Sequence, residues 1–473
     1  MVAGIAAEMG WDDAAKGLAL SSFFYGYAPC HFLNSWLSWR FGPRRILTCA
    51  ALVQGALALS FPSIVRCGTL FPVLLTRLLM GCTQAALNPC LMQLIGAWLP
   101  PNEASRGYGI ICCGDSAGAA LAFVLTPQLM HSYGWPATFY ATGGASVAWA
   151  CLAFRWLYDA PARHPRLVAA ERGWLAGELR ASATGMARGG GRVPWRALFC
   201  RTQVLCLPLV IFCTAWGWYV FLTFLPQYLH NQLNFNLNAS GGVALLPYTS
   251  HLLGQLGAGV VADRMLEARH FTPTTVRRLF HSAGALGAAA LLLGTAYARS
   301  APVAVALITG SNFMFGLCAA GALVVPTSLS ACHAGLLGGT AFGLGNMAGI
   351  VAPLVTGWVL ESGHCPHDTK GRLPPITPTC RAAWEMVFLT SAGAFASAAL
   401  IFTVFGSAEP LTGLGGAVME NMDGCRREAE EADAGARWTD PMALSDPVPL
   451  MINASIGHGG PAHVETGSSS RSP

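Results

Sequence analysis

The chain has 473 residues, of which 11% are charged and 53% hydrophobic, with a net charge of +5 and a mean hydropathy of +0.47. A soluble domain carries about a quarter charged residues, so this composition excludes an ordinary globular enzyme or soluble binding module and points to a polytopic membrane protein. The small positive charge sits mostly in loops, where it reports topology and contact with anionic lipid rather than nucleic-acid binding.

A bilayer core of about 30 Å needs roughly 20 apolar residues per helix. Eleven segments meet that rule, near residues 18 to 39, 46 to 64, 70 to 97, 107 to 131, 136 to 157, 204 to 229, 240 to 262, 279 to 298, 302 to 328, 334 to 360 and 383 to 406. Two long stretches, 202 to 262 and 300 to 360, contain no Asp, Glu, Lys or Arg at all. Basic residues gather in alternate loops: Arg40, Arg44 and Arg45, then Arg106, then the Arg-rich stretch 158 to 203, then Arg264, Arg269, Arg277 and Arg278. By the positive-inside rule those loops are cytosolic. The amino-terminal stretch is then outside and the carboxyl tail inside. An outside start without a signal peptide is hard to arrange, which suggests a span upstream of Met1.

The stretch 158 to 203, with Gly189, Gly190 and Gly191 in a row, reads as a cytosolic linker between two helical bundles. The predicted organisation is an amino-terminal bundle of five spans (1 to 157), that linker, a carboxyl-terminal bundle of six spans (204 to 407) and a disordered cytosolic tail (408 to 473). Sixteen cysteines are scattered without a CxxC pair, and most read as small apolar fillers. Cys365 and Cys380, in the long exterior loop, are candidates for a disulfide.

An ionised side chain inside an apolar span costs several kcal/mol unless paired or wetted, so the exceptions point to function. Arg77 lies about seven residues from the outer end of the third span, roughly 10 Å deep. Its planar fork of donors suits a carboxylate or phosphate, or else a structural ion pair. Asp115, about two turns from the cytosolic end of the fourth span, can be the resting partner of Arg77, a protonatable coupling group, part of a cation site, or a helix-end acid in a wet crevice. An internal repeat adds a second theme. Arg40-Phe41-Gly42-Pro43-Arg44-Arg45 follows the first span, and Gly259-Val260-Val261-Ala262-Asp263-Arg264 follows the seventh, with Arg277-Arg278 beyond. Such loops can lock two bundles by setting guanidinium groups against helix ends and acids. Transporters are commonly built from two such related bundles with the substrate site between them.

Several motifs carry a family resemblance: Ser21-Ser22-Phe23-Phe24-Tyr25-Gly26-Tyr27, the run from Arg77 through Gly81 to Pro89, Trp98-Leu99-Pro100-Pro101, Tyr158-Asp159-Ala160-Pro161, Leu225-Pro226-Gln227-Tyr228 and the Gly335, Gly339, Gly345, Gly349 and Pro353 ladder. From about residue 8 to 409 the chain resembles the anion:cation symporter branch of the major facilitator superfamily, which includes type I sodium–phosphate cotransporters, sialin, vesicular glutamate transporters and plant plastid phosphate transporters. The resemblance implies an all-α membrane fold of two pseudo-symmetric helical bundles, with eleven helices here and the family's first helix missing. It aligns Arg77 with the family's anion-binding arginine, and Tyr27 and Tyr219 with cavity positions. Gln84 stands where a proton-coupling glutamate is common, and an amide cannot titrate. His31 replaces a frequent glutamine, Trp39 an aspartate of the first gating loop, and Phe342 an asparagine.

The expectation is a secondary transporter, not an enzyme, that moves inorganic phosphate or a small organic anion by alternating access. Arg77, Gln84, Tyr27 and Tyr219 would bind the anion. Asp115 and His31 are the coupling candidates, and Arg40, Gly42, Arg44, Arg45, Asp263 and Arg264 would form the cytosolic gate. No cofactor or metal is expected beyond a coupling Na+ or H+, and no ATP-binding loop occurs. The partners would be a small anionic solute and the bilayer, with no nucleic acid, in a monomer of the plasma membrane, a vesicle or lysosome, or a plastid envelope. The alternative is a non-transporting receptor or scaffold, inactive through loss of the first helix. His364, Cys365 and His367 form only a loose exterior cluster.

Overall fold

The computed structural model describes residues 13–100, 103–182, 200–233, 241–330, 333–363 and 377–411, together with Ile5, Glu8, Met9 and Trp11. The linker glycines, Cys365, the nearby histidines and the tail beyond Leu411 lie outside the described residues; the first residues assigned to the disordered tail are ordered instead, with Ala408 buried and Leu411 N donating to the Leu329 carbonyl at 3.0 Å. Cys380 is disulfide-bonded.

Among the described residues the architecture is helical, with no strand. The amino-terminal half contains α1 (Asp13–Phe41), α2 (Pro43–Arg66), α3 (Leu70–Gln84), α4 (Leu87–Trp98), α5 (Ala104–Tyr133) and α6 (Trp135–Trp156). A short helix, α7 (Ala169–Ser182), leads toward the second half. That half contains α8 (Thr202–Leu233), α9 (Gly241–Glu267), α10 (Pro273–Ala296), α11 (Ala301–Leu317), α12 (Val325–Leu329), α13 (Ala334–Gly345), α14 (Ala348–Ser362) and α15 (Pro378–Phe405).

Nine helical stretches among the described residues are long and apolar enough to cross a membrane, counting α3 with α4, α11 with α12 and α13 with α14 as one stretch each. α1 and α9 are also long, 29 and 27 residues. They fall outside that set because polar residues run along them: His31, Asn34, Ser35 and Ser38 on α1, and Ser250, His251, Gln255 and Asp263 on α9. Outward-facing side chains such as Phe71, Leu354 and Trp358 are 63–73% exposed, as expected where hydrocarbon rather than water is the solvent.

Three spans are broken. Pro89, in the first turn of α4, has no N–H and clashes with a preceding carbonyl, so the helix stops at Gln84 and restarts at Leu87. The others break between Leu317 and Val325 and at Asn346–Met347. Two of these breaks therefore sit beside an amide side chain.

The two halves repeat. α1 packs on α3 and α2 on α6; likewise α9 packs on α11 and α10 on α15. Both cores of the repeat use backbone contact at glycines: a Cβ on Gly26 or Gly81 would overlap the carbonyl oxygen of Leu78 or Phe23, and one on Gly254 or Gly316 would overlap or crowd that of Phe313 or His251. Lipid is as apolar as these helices, so close van der Waals approach stabilises them where the hydrophobic effect cannot. Gly81→Ala is therefore expected to lower the melting temperature of the purified protein by an amount equivalent to about 1–3 kcal/mol. Gly118→Ala, where a Cβ would meet nothing within 4 Å, should leave it unchanged, and equal melting of the two variants would refute the packing argument.

One element breaks the repeat. In the second half α8 lies against α13, α14 and α15, and 56% of its apolar window is buried. α5 and α6 are far less covered by the described residues, with 11% and 22% of their most apolar stretches buried.

Candidate functional site

Arg77 sits on the face of α3 opposite Leu75 and Leu79, which are exposed to the lipid side. At about 3.6 residues per turn Gln84, seven positions on, returns to the Arg77 face, where it is exposed at the helix break. Arg77 itself is half-buried. Its Nε donates to the Ala19 carbonyl at 3.1 Å, and Cζ stands 5.8 Å from the centre of the Phe23 ring. The Nη nitrogens have no hydrogen-bond partner among the described residues and are not sealed from solvent. Half of the donor fork is thus held against α1 and the other half is open.

Tyr27, half-buried on α1, stacks on Phe23 at 5.3 Å and meets His31 edge-on at 4.5 Å. Tyr219 of α8 meets Phe24 edge-on at 5.3 Å and donates its hydroxyl to Asn346 Oδ1 at 3.0 Å. Asp115 stands on α5 and is exposed. No ion pair joins Asp115 to Arg77 among the described residues. His31 is fully buried. Its Nδ1 pairs with the Tyr27 carbonyl at 2.8 Å; with that nitrogen donating, Nε2 carries a lone pair, and it has no partner.

Below this chamber the halves meet. Gly343 lets α13 approach Ala28 and His31, and Gly335 lets it approach Pro89 and Gln93, with a Cβ at these positions only 2.9–3.1 Å from its first neighbour. A Cβ on Gly339 would overlap Ser35. Ser38 donates to Gln93 alongside. Phe24, Tyr219 and Asn346 form the layer above. Arg77 contacts α1 at Ala19 and Phe23, on the outer side of that layer, so the structure is closed toward the cytosol.

The second loop of the repeat closes the other flank. Asp263 accepts from the backbone N–H groups of Ser105 at 3.2 Å and Arg106 at 2.7 Å. Those are first-turn donors of α5, which have no partner within their own helix, and a carboxylate there also opposes the positive end of the helix dipole. Arg277, 1% exposed, donates to Ser105 Oγ and to the Ala320 carbonyl. Gly109 and Gly259 allow the backbones of α5 and α9 to touch, each Cβ position being 2.8 Å from an opposing carbonyl oxygen.

The first loop makes a similar cap, but within its own half. Gly42 has φ of 93°, a conformation glycine adopts without strain, and it turns the chain into α2. There Arg44 N donates to Asp159 Oδ1 at 2.9 Å. The Arg44 guanidinium donates to the Phe154 carbonyl and lies 5.2 Å from the ring centres of Phe154 and Tyr158. Where Trp39 was expected to leave this loop without an acid, Asp159 supplies one. Arg40, Arg45 and Arg264 are exposed, and the buried cation beside Asp263 is Arg277. Likewise Phe342 packs in the apolar core, and the amide one turn later, Asn346, is the one that accepts from Tyr219. The signals for all three were in the chain: Asp159 in its Tyr-Asp-Ala-Pro run, Arg277 at the end of the repeat, and a lone amide in an uncharged span.

Comparison with known proteins agrees with this geometry. The profile of the Major Facilitator Superfamily matches residues 1–349. Over 407 residues the chain is 26% identical to the chloroplastic sodium-dependent phosphate transport protein 1 of Arabidopsis thaliana, covering 86% of this chain and 74% of the relative. It is 27% identical over 404 residues to vesicular glutamate transporter 2.1 of Danio rerio, covering 85% and 66%, and 25% identical over 405 residues to a chloroplastic ascorbate transporter of Arabidopsis thaliana, covering 85% and 70%. Among solved structures, a proton:xylose symporter aligns with a TM-score of 0.64 at 14% identity over 86% of this chain and 91% of its own. A human organic anion transporter aligns at 0.56 and 18% identity over 85% and 88%. The chain belongs to the Major Facilitator Superfamily and is a multi-pass membrane transporter rather than an enzyme.

Proposed function

We propose that the chain carries inorganic phosphate or a small organic anion across its membrane by alternating access, driven by a sodium or proton gradient. The observation that carries this reading is the open half of the Arg77 fork. A guanidinium deep in a membrane protein whose Nη groups are accessible and meet no partner or acid among the described residues is arranged for an anionic ligand rather than for a structural ion pair. Relatives described as phosphate, glutamate and ascorbate transporters support the substrate class.

In this scheme the anion rests on Arg77, and Gln84 and Tyr27 contribute neutral donors. Tyr219 is held in place by Asn346. Asp115 then serves as the coupling group, because it is an exposed acid within an apolar span, has no ion pair among the described residues and can bind a proton or help bind sodium. His31 presents an unshared lone pair beneath Tyr27 and is a second candidate. Tyr219→Phe is expected to weaken anion affinity by about three- to tenfold, the effect of about 1 kcal/mol from one lost neutral hydrogen bond. Asn346→Ala should do the same, and the double variant should be little worse than either, since both remove one interaction. Additive losses in the measured KM would separate the two residues.

The sparse cover of α5 and α6 supports a further part of the proposal, that an additional apolar helix covers them in the working transporter. The deciding experiment is uptake of labelled phosphate, glutamate and ascorbate into proteoliposomes, with sodium and proton gradients imposed separately, for this chain and for the chain extended by an apolar amino-terminal helix. Uptake driven by one gradient establishes transport and names the ion. If folded protein of both forms is silent toward every anion tested, the receptor or scaffold reading replaces this one.

A further inference from the structure

A groove of about 430 Å³ runs along the lipid-facing boundary between α1 and the α13–α14 pair. Tyr25, Pro29 and Phe32 form one wall, and Thr340, Leu344 and Met347 the other. Tyr25, Phe32, Leu344 and Met347 are each about half exposed, and the lining is almost wholly apolar. Both walls are irregular at this height. Pro29 cannot donate to the Tyr25 carbonyl, which removes a rung from α1, and the opposite span is interrupted at Asn346–Met347. The concavity is therefore built into both helices rather than left by loose packing.

We propose that this groove holds one acyl chain of an anionic phospholipid from the cytosolic leaflet. Depth argues for hydrocarbon: Phe32 and Tyr25 lie nine and sixteen residues from Phe41 at the cytosolic end of α1, about 13 and 24 Å along its axis, within a hydrocarbon layer of about 30 Å. No water competes there, so an apolar groove on the perimeter is filled from the bilayer. The headgroup is argued from the stripe that continues the groove downward. Tyr25, Pro29, Phe32, Trp36 and Arg40 recur at the spacing of one helix face. This stripe passes from apolar wall to an interfacial Trp, 39% exposed, and ends on an exposed Arg at the cytosolic surface. A Trp at that level matches the headgroup belt, and an Arg suits the phosphate of an anionic lipid.

The location gives the bound chain a consequence. α1 belongs to one half and α13–α14 to the other, and only Phe24, Tyr219 and the residues around them separate the groove from the candidate substrate chamber. A chain wedged between the halves holds them in the cytosol-closed arrangement seen here, so its release accompanies opening.

The test uses the full-length protein in phosphatidylcholine vesicles containing a minor fraction of phosphatidylglycerol with a diazirine midway along one acyl chain. After photolysis, labelled peptides are mapped. Labelling at residues 24–32 and 340–350 is expected to exceed, several-fold, that at Leu354 and Trp358, which are apolar and more exposed but lie outside the groove. Unlabelled phosphatidylglycerol should suppress it more than added phosphatidylcholine does. Leu344→Trp, which fills the groove, should remove this excess, and Arg40→Gln should erase the preference for the anionic lipid. Uniform labelling of the perimeter, or an excess indifferent to headgroup, would overturn the assignment. The map of the unsubstituted protein decides this even if Leu344→Trp fails to fold.

Discussion

Arg77→Ala is expected to reduce anion uptake by about 30- to 700-fold while leaving the yield and melting temperature of the protein nearly unchanged. The first figure follows from the loss of charge-assisted hydrogen bonds to an anion in a partly dry site, about 2–4 kcal/mol, at about 1.4 kcal/mol per tenfold change. The second follows from what Arg77 does in the ligand-free structure. It donates once to a helical carbonyl, that of Ala19, and lies over Phe23, a contact of the order of 0.5–1 kcal/mol. No acid among the described residues depends on it. A structural arginine would behave the opposite way, because removing it strands its buried partner and unfolds the protein. Arg77→Lys separates charge from geometry: it keeps the positive charge but loses the planar fork, and uptake should fall between the two. The measurement is initial uptake rate against anion concentration, beside thermal unfolding of the same preparations. Full uptake by folded Arg77→Ala protein would remove Arg77 from the binding site and the proposed substrate class with it.

The sequence made the membrane fold legible because burial in lipid leaves a crude mark: long stretches without any charge, and basic residues in alternate loops. Arg77 was visible for the same reason, as an exception to a strong rule. Finer features were not, and the reasons differ. His31 and Asp115 each admit several readings from sequence because their roles depend on which helices face them, and only the packing shows His31 sealed with a bare Nε2 and Asp115 exposed without an ion pair to Arg77. The gate was read as two equivalent basic loops, yet pairing across 115 residues joins Arg44 to Asp159 within one half, while Asp263 reaches the other half. Local charge patterns carry no information about such distant partners. Arg264 stood beside the acid in sequence and so drew the gate role, but one residue further along a helix is about 100° further around it, which turns Arg264 outward and leaves the buried position to Arg277. Asn346 was hidden by the opposite error, of judging a contact by a single position, Phe342, when the residue one turn later shares its face.

The second large effect is predicted at that gate. Asp263→Ala should destabilise the cytosol-closed state by about 2–4 kcal/mol, because two first-turn donors of α5, the N–H groups of Ser105 and Arg106, lose their only acceptor in a largely buried site. The same change leaves Arg277 as a buried cation without its neighbouring carboxylate, which raises the cost in the closed state further. In the open state the two halves have parted, and α5 finds water as its acceptor, so little is lost there. The population therefore moves toward the cytosol-open form by about 30- to 700-fold. Hydrogen exchange gives a direct reading: the first-turn amides of α5 should exchange faster in Asp263→Ala protein, whereas those of α10 and α15, packed within one half, should not. Asp263→Asn should lie between, since it keeps an acceptor and loses the charge. Arg277→Met alone should also loosen the gate by stranding Asp263. Combined with Asp263→Asn it should cost less than the sum of the two single changes, because the double variant buries no unpaired charge. Strict additivity would mean that Asp263 and Arg277 act on Ser105 independently. Unchanged exchange in Asp263→Ala would mean that the glycine contacts between α5 and α9 hold the halves together without the cap.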